Sequence, residues 1–177
     1  MKRYVLLDRD GTLVRDTGHP HRPEDYDLLP GVGAALRRLL DAGFRLAIVT
    51  NQSGIGRGWF DVAAFDRFHA RLLADLTKAN VSIDATFVCP HAPEAGCACR
   101  KPAPGLVLRA QTELGADLAT SWVVGDTDRD VGAARNAGCF GAVRLGAASM
   151  RCAADPLALE APDLTAAVEL ILGYGTP

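Results

Sequence analysis

Short apolar runs alternate with amphipathic stretches along this chain, the order that a parallel sheet covered by helices imposes. The candidate strands are residues 4–7, 44–50, 83–88, 122–124 and 142–145. Between them, residues 31–41 carry Val32, Leu36, Leu39 and Leu40 at helical spacing, with Gly43 as a stop signal. Residues 61–79 place Phe65, Phe68, Leu72 and Leu76 on one face, and further helices are expected at 104–114 and about 129–137. About five βα units result. The Gly- and Pro-containing stretches 16–30 and 90–105 have no periodicity and read as loops. The tail 146–177 is Ala-rich, with a helix expected at 164–172 and no assignable role.

Length and charge narrow the partners. A chain of 177 residues, 49% hydrophobic, reads as a single domain spanning 1–177, able to bury roughly 70% of its unfolded surface without covalent staples. No apolar run approaches the roughly 18 residues of a membrane span, so neither membrane insertion nor export is expected. Nineteen basic against 21 acidic side chains give a net charge of −2, without the basic surplus that phosphate-backbone binding requires, so nucleic acid is not an expected partner. The cysteine count is odd, at five, and three cysteines fall within eleven residues. That distribution suits a metal site in a reducing cytoplasm better than a disulfide framework. Nothing in the composition forces assembly, and a monomer is expected.

In open α/β sheets ligands bind beyond the carboxyl ends of the strands. The first strand runs into Asp8-Arg9-Asp10-Gly11-Thr12-Leu13, two carboxylates one residue apart before a turn-permitting glycine. The fourth runs into Gly125-Asp126-Thr127-Asp128-Arg129-Asp130. Carboxylates converging from both ends repel one another unless a hard cation joins them, which predicts a Mg²⁺ site for phosphate chemistry around Asp8, Asp10 and Asp126. Asp128 reads as an ordinary helix-start acid. The second strand ends in Thr50-Asn51-Gln52-Ser53-Gly54, small polar groups suited to phosphate oxygens, and Arg100-Lys101-Pro102 lies in the irregular loop after the third strand.

Cys89-Pro90-His91 and Cys97-Ala98-Cys99 flank a five-residue spacer. Three thiolates and an imidazole fill a tetrahedral Zn²⁺ shell, so Cys89, His91, Cys97 and Cys99 predict a closed, structural zinc loop over 89–101 that fixes Arg100 and Lys101. Cys139 and Cys152 read as ordinary small apolar residues.

DRDGTL (8–13), TNQSG (50–54), RKP (100–102) and VGDTDRD (124–130), in that order, resemble the haloacid dehalogenase (HAD) superfamily of aspartyl phosphatases, over residues 4 to about 145. The resemblance implies a three-layer α/β/α Rossmann-like fold with a mostly parallel sheet. It further implies that Asp8 is the nucleophile and Asp10 the general acid and base. Mg²⁺ would lie on Asp8, Asp126 and the main-chain carbonyl of Asp10, with Thr50 and Lys101 on phosphoryl oxygens. The CxH, CxC and RKPxPG combination resembles the subfamily containing D-glycero-D-manno-heptose 1,7-bisphosphate phosphatase and bacterial histidinol-phosphate phosphatase. TNQSGIGRG (50–58) is similar to the heptose group in particular. This implies Asn51, Arg57 and Arg100 near a small phosphosugar, and an enzyme without a large cap domain.

The reaction expected from the resemblance is hydrolysis of the 7-phosphate of a heptose bisphosphate. The alternatives are histidinol phosphate, a DNA 3′-phosphate, or an inactive zinc-stabilised binding module. Two positions depart from the heptose pattern: residues 17–25 lack its HGYV-like segment, and Thr127 stands where a lysine is often found. His19 and His21, in that variant loop, read as solvent-exposed.

Overall fold

A computed structural model describes residues 2–148, 150–151 and 156–174. Cys152 lies outside them. The strands are β1 (Tyr4–Leu7), β2 (Arg45–Asn51), β3 (Thr86–Cys89), β4 (Trp122–Gly125), β5 (Gly141–Leu145) and β6 (Leu159–Ala161). The helices are α1 (Val32–Asp41), the single turn α2 (Ser53–Gly56), α3 (Val62–Lys78), α4 (Gly105–Leu114), α5 (Asp128–Ala137) and α6 (Leu164–Gly173).

The six strands form one sheet in the order β3-β2-β1-β4-β5-β6, and every pairing is parallel. The chain builds outward from β1 to β3, then returns to lay β4 against the other side of β1. That reversal opens a crevice at the carboxyl ends of β1 and β4, where the two acidic turns emerge.

Strand residues alternate between two apolar layers, as a sheet covered on both faces requires. Val5, Leu7, Leu46 and Ile48 face Leu36, Leu39, Leu72, Leu76 and Val168. Tyr4, Leu6, Ala47 and Val49 face Leu106, Val107, Ala110, Ala133 and Ala134. The periodic residues expected of α1 and α3 are accordingly buried, apart from half-buried Leu40. Asp61 caps α3 by accepting from the Ala64 amide at 2.7 Å.

Three elements differ from expectation. The third strand begins at Thr86 and not at 83. Asp84 is drawn out of the run, its carboxylate accepting from the Tyr4 hydroxyl (2.7 Å) and the Arg45 guanidinium (2.5 and 2.8 Å). The tail has a structural role: β6 extends the sheet beside β5. α6 then buries Leu164, Ala167, Val168, Leu170 and Ile171 in the first apolar layer, each larger side chain contributing about 1.5–3 kcal/mol. Finally, the loops 16–30 and 90–105 each hold a single 3₁₀ turn, Pro23–Asp25 and Pro93–Ala95. Residues of both loops, among them His19 and Pro93, line the crevice.

Candidate active site

Asp8 leaves β1 with its amide donating to the Val124 carbonyl at 2.8 Å, so the first acidic turn is tied to β4 as it emerges. One oxygen each from Asp8, Asp126 and Asp130 lies within 4.8 Å of the others. Gly11 makes the approach possible. Its φ of +73° suits glycine, and a Cβ there would sit 2.1 Å from Asp126 Oδ2. The third carboxylate was not singled out from the sequence. Asp130 lies in the first turn of α5, where it caps Thr127 by accepting from its amide (3.1 Å) and hydroxyl (2.7 Å). Asp128, by contrast, is 94% exposed at its side chain and opens α5, in keeping with its reading as a helix-start acid.

The cluster has one buried cation. Lys101, 2% exposed, places Nζ 3.0 Å from Asp8 Oδ2 and 2.5 Å from Asp130 Oδ1, and donates to the Val49 carbonyl at 2.8 Å. Asn51 grips its main chain from both sides, accepting from the Lys101 amide at 3.0 Å and donating to its carbonyl at 3.1 Å. Burial pulls the ammonium towards the neutral form, but Asp8 and Asp130 outweigh it and hold its pKa above the usual lysine value. Burial pushes Asp8 up, Asp130 and Asp10 add to this, and Lys101 opposes it. Asp126 is raised as well, by burial and then by Asp130. Three carboxylates against one ammonium leave an excess of negative charge on hard oxygen donors. That donor set fits Mg²⁺.

Asp10 points elsewhere. Its Oδ1 accepts from Arg9 Nε at 2.7 Å, and its Oδ2 accepts from Arg9 Nη2 at 3.0 Å and Gln52 Nε2 at 2.9 Å. Its side chain is not among the three clustered carboxylates. Two acids with one residue between them are thus separated into different environments, one against an ammonium and one against a guanidinium and an amide. Gln52 belongs to the polar run expected to meet phosphate oxygens but turns instead to Asp10, and Arg9, between the two acids, carried no expectation of its own.

A cavity of about 840 Å³ opens onto this edge, lined by both β1 acids, Asn51, Ser53, Arg57, Arg100, Lys101 and Asp126, together with Arg129 and His19. Thr50 is not among its lining residues. It is buried beneath Gln52, whose Nε2 donates to Thr50 Oγ1 at 3.0 Å. Ser53 belongs to the polar run expected to meet phosphate, whereas Arg129 was not expected there. Arg57 lies over the Trp59 ring at 4.9 Å and 3.8 Å from Glu94, and Arg100 Nη1 is buried without a hydrogen-bond partner. The two loop histidines are half-buried rather than solvent-exposed. His19 meets Trp59 edge-on at 5.0 Å, and His21 stacks on Phe60 at 4.3 Å with Nδ1 2.8 Å from the His19 carbonyl. Aromatic rings contributed by residues 59–60 cover a loop that reads as polar in isolation.

Cys89, at the end of β3, gathers the second cluster. Its Sγ lies 3.6 Å from His91 Nδ1, 3.6 Å from Cys97 Sγ and 3.2 Å from Cys99 Sγ. Cys99 Sγ is 3.2 Å from His91 Nδ1 and 3.5 Å from Cys97 Sγ. The thiols are free. A tetrahedral ion with bonds of about 2.0–2.3 Å holds its ligands at separations close to these, so the donor set fits Zn²⁺ with no position left for water. The loop is docked by two main-chain bonds, Gly56 N to Pro90 O at 2.8 Å and Gly105 N to Ala98 O at 3.1 Å. Cys139 is buried in the core away from this cluster, and burial pushes its thiol up to about 12.

A HAD-hydrolase-like family model matches residues 98–166. The D-glycero-beta-D-manno-heptose-1,7-bisphosphate 7-phosphatase of Bordetella bronchiseptica is 40% identical over 138 residues, covering 77% of this chain and 77% of that protein. The Escherichia coli K12 protein of the same name is 40% identical over 151 residues, covering 80% of this chain and 79% of its own. Among solved structures, D,D-heptose 1,7-bisphosphate phosphatase from B. bronchiseptica, complexed with magnesium and phosphate, superposes with a TM-score of 0.85. It is 33% identical, and the match covers 98% of this chain and 99% of that one.

Proposed function

The chain belongs to the HAD-like hydrolases, in the family of the heptose-1,7-bisphosphate 7-phosphatases, and from that premise we propose that it hydrolyses the 7-phosphate of D-glycero-D-manno-heptose 1,7-bisphosphate through an aspartyl phosphate on Asp8. The observation that carries this reading is the separation of the two β1 acids. Asp8 faces Lys101 at 3.0 Å, while Asp10 is held by Arg9 and Gln52.

A carboxylate oxygen of Asp8 attacks phosphorus, and the bond from phosphorus to the sugar oxygen breaks. The proton on Asp10 passes to that oxygen, so the sugar leaves as a neutral alcohol. Asp10, now ionised, takes a proton from water as that water attacks phosphorus. The bond to Asp8 breaks, inorganic phosphate departs, and both carboxyl groups return to their starting forms. Lys101 opposes the upward push of burial on Asp8, favouring the ionised nucleophile, and stands ready for developing charge on the phosphoryl group. Asp8, Asp126 and the main-chain carbonyl of Asp10 would hold Mg²⁺, which when bound neutralises charge between the nucleophile and the phosphoryl oxygens. Asp130 acts through Lys101 and Thr127.

Arg57, Arg100 and Arg129 line the cavity and supply cations for the second phosphate of the substrate. Cys89, His91, Cys97 and Cys99 would hold a structural Zn²⁺ that orders residues 89–101. Unpaired thiols fit a reducing compartment, and the cytoplasm is the location proposed, with the enzyme acting as a monomer. Among the described residues no helix is long and apolar enough to cross a membrane.

The test is kcat/KM for phosphate release, with Mg²⁺, from heptose 1,7-bisphosphate and from histidinol phosphate. The bisphosphate is expected to be preferred. A preference for histidinol phosphate would overturn the substrate, and no release from either would overturn the reaction.

A further inference from the structure

Arg9 and Gln52 are both completely buried, although each carries a polar head. The Arg9 guanidinium is packed between Phe65 and Phe68, with its central carbon 5.1 and 4.8 Å from their ring centroids. Its Nη2 donates to the Pro20 carbonyl at 2.8 Å and to Gln52 Oε1 at 3.2 Å. Because Gln52 Nε2 returns to Asp10 Oδ2, the three side chains close a ring. Taking an arginine out of water costs several kcal/mol unless its hydrogen bonds are well made, and a contact with a sequence neighbour could have formed at the surface. Here Nε and Nη2 are engaged while Nη1 is buried without a partner, the guanidinium lies against two aromatic rings, and Gln52 is fixed in turn by its main-chain amide donating to the Cys89 carbonyl at 2.8 Å.

The ring limits what Asp10 can do. A carboxylate offers about four lone-pair sites. Oδ2 accepts from both Arg9 and Gln52, and Oδ1 accepts from Arg9. One site remains, on Oδ1. We propose that Arg9 and Gln52 are positioning residues for proton transfer, holding Asp10 so that its one unfilled lone pair, on Oδ1, is the site that exchanges a proton with the leaving-group oxygen. The proposal rests on the assignment of Asp10 as general acid made above. Neither residue touches substrate; both act through Asp10.

A sugar alkoxide needs that proton to depart, whereas the phenolate of p-nitrophenyl phosphate does not. Since kcat/KM reports steps only up to leaving-group departure, the two substrates separate acid positioning from general damage. Gln52→Met is expected to lower kcat/KM on the heptose bisphosphate about 30-fold and on p-nitrophenyl phosphate by less than about threefold, within the range that general acid catalysis supplies. Arg9→Lys, which keeps the charge and loses the fork, is expected to show the same selectivity and carries the test if Gln52→Met does not fold. Asp10→Asn is measured alongside. If Asp10→Asn is selective while both clamp variants lose activity equally on the two substrates, or lose none, the positioning proposal is overturned and the acid assignment stands. If Asp10→Asn itself shows no selectivity, the acid assignment fails and the proposal fails with it.

Discussion

The thiol and imidazole cluster takes its four donors from eleven consecutive residues, Cys89 to Cys99, whereas the carboxylate cluster brings Asp8 against Asp126 and Asp130 from more than a hundred residues away. Both stand at the carboxyl edge of the same sheet. The first is closed: four soft or borderline donors face one another and fill a coordination shell. The second opens onto the cavity and carries an excess of negative charge around one buried ammonium. A local cluster can order a loop that has little apolar material of its own. A cluster assembled by the fold exists only once β1 and β4 are paired, so its charge repulsion is borne by the stability of the whole sheet. The comparison predicts that damage to the carboxylate cluster acts on rate, and damage to the thiol cluster acts on stability.

The largest effect is expected from Asp8→Asn, which removes the nucleophile and should lower kcat by about 10⁴-fold or more in a steady-state phosphate-release assay, with the Tm little changed. Lys101→Met comes next. It leaves Asp8 and Asp130 buried without their shared cation, so kcat should fall about 10²- to 10³-fold, with a destabilisation of about 3–5 kcal/mol in urea unfolding. This variant alone should affect both properties strongly, because Lys101 is at once the neighbour of the nucleophile and the counter-charge of the core.

Cys97→Ser should invert the pattern. Zinc measured by elemental analysis should drop from about one equivalent per chain to none. The Tm should fall by about 10 °C, the shift that about 3–4 kcal/mol produces at this chain length. Activity below the melting range should fall by less than about tenfold, because Asn51, Val49 and Asp130 hold Lys101 independently of the thiols. A variant that keeps its Tm and loses all activity would break the comparison.

The smallest effect lies outside both clusters. His69 stacks on Phe65 with Nε2 2.8 Å from Thr86 Oγ1, and burial, with Arg9 second, pushes its pKa down to about 4. The unfolded chain takes up this proton near pH 6.5 and the folded chain only near 4. Its contribution is therefore complete above pH 6.5 and is lost as the pH falls towards 4, by at most about 3 kcal/mol. His69→Gln should flatten that part of a stability–pH profile without changing the zinc content.

Much of this was legible because strand and helix periodicities are local. Leu36 and Leu39 of α1 and Phe65 to Leu76 of α3 report their buried faces directly, and CxH with CxC is read without knowing the fold. Residues whose meaning depends on a distant partner were not legible. Asp130 looks like any first-turn acid until Lys101 arrives from the zinc loop. A trace of it exists in Gly125, where a Cβ would sit 2.1 Å from the Asp130 carboxyl carbon. Arg9 carries no local signal of burial, which comes only from Phe65 and Phe68. The strand β6 is three residues long, too short for alternation to register. His19 and His21 acquire their surroundings only from Trp59 and Phe60.

The division of labour between the two β1 acids is tested most directly by trapping. Asp10→Asn retains the nucleophile and lacks the base that activates water, so after mixing with p-nitrophenyl phosphate and Mg²⁺ it should accumulate one phosphoryl group per chain. Acid quenching, borohydride reduction and peptide mass spectrometry should then find homoserine at position 8. An unmodified Asp8 with nitrophenolate released, or a phosphoryl group on any other residue, would contradict the account.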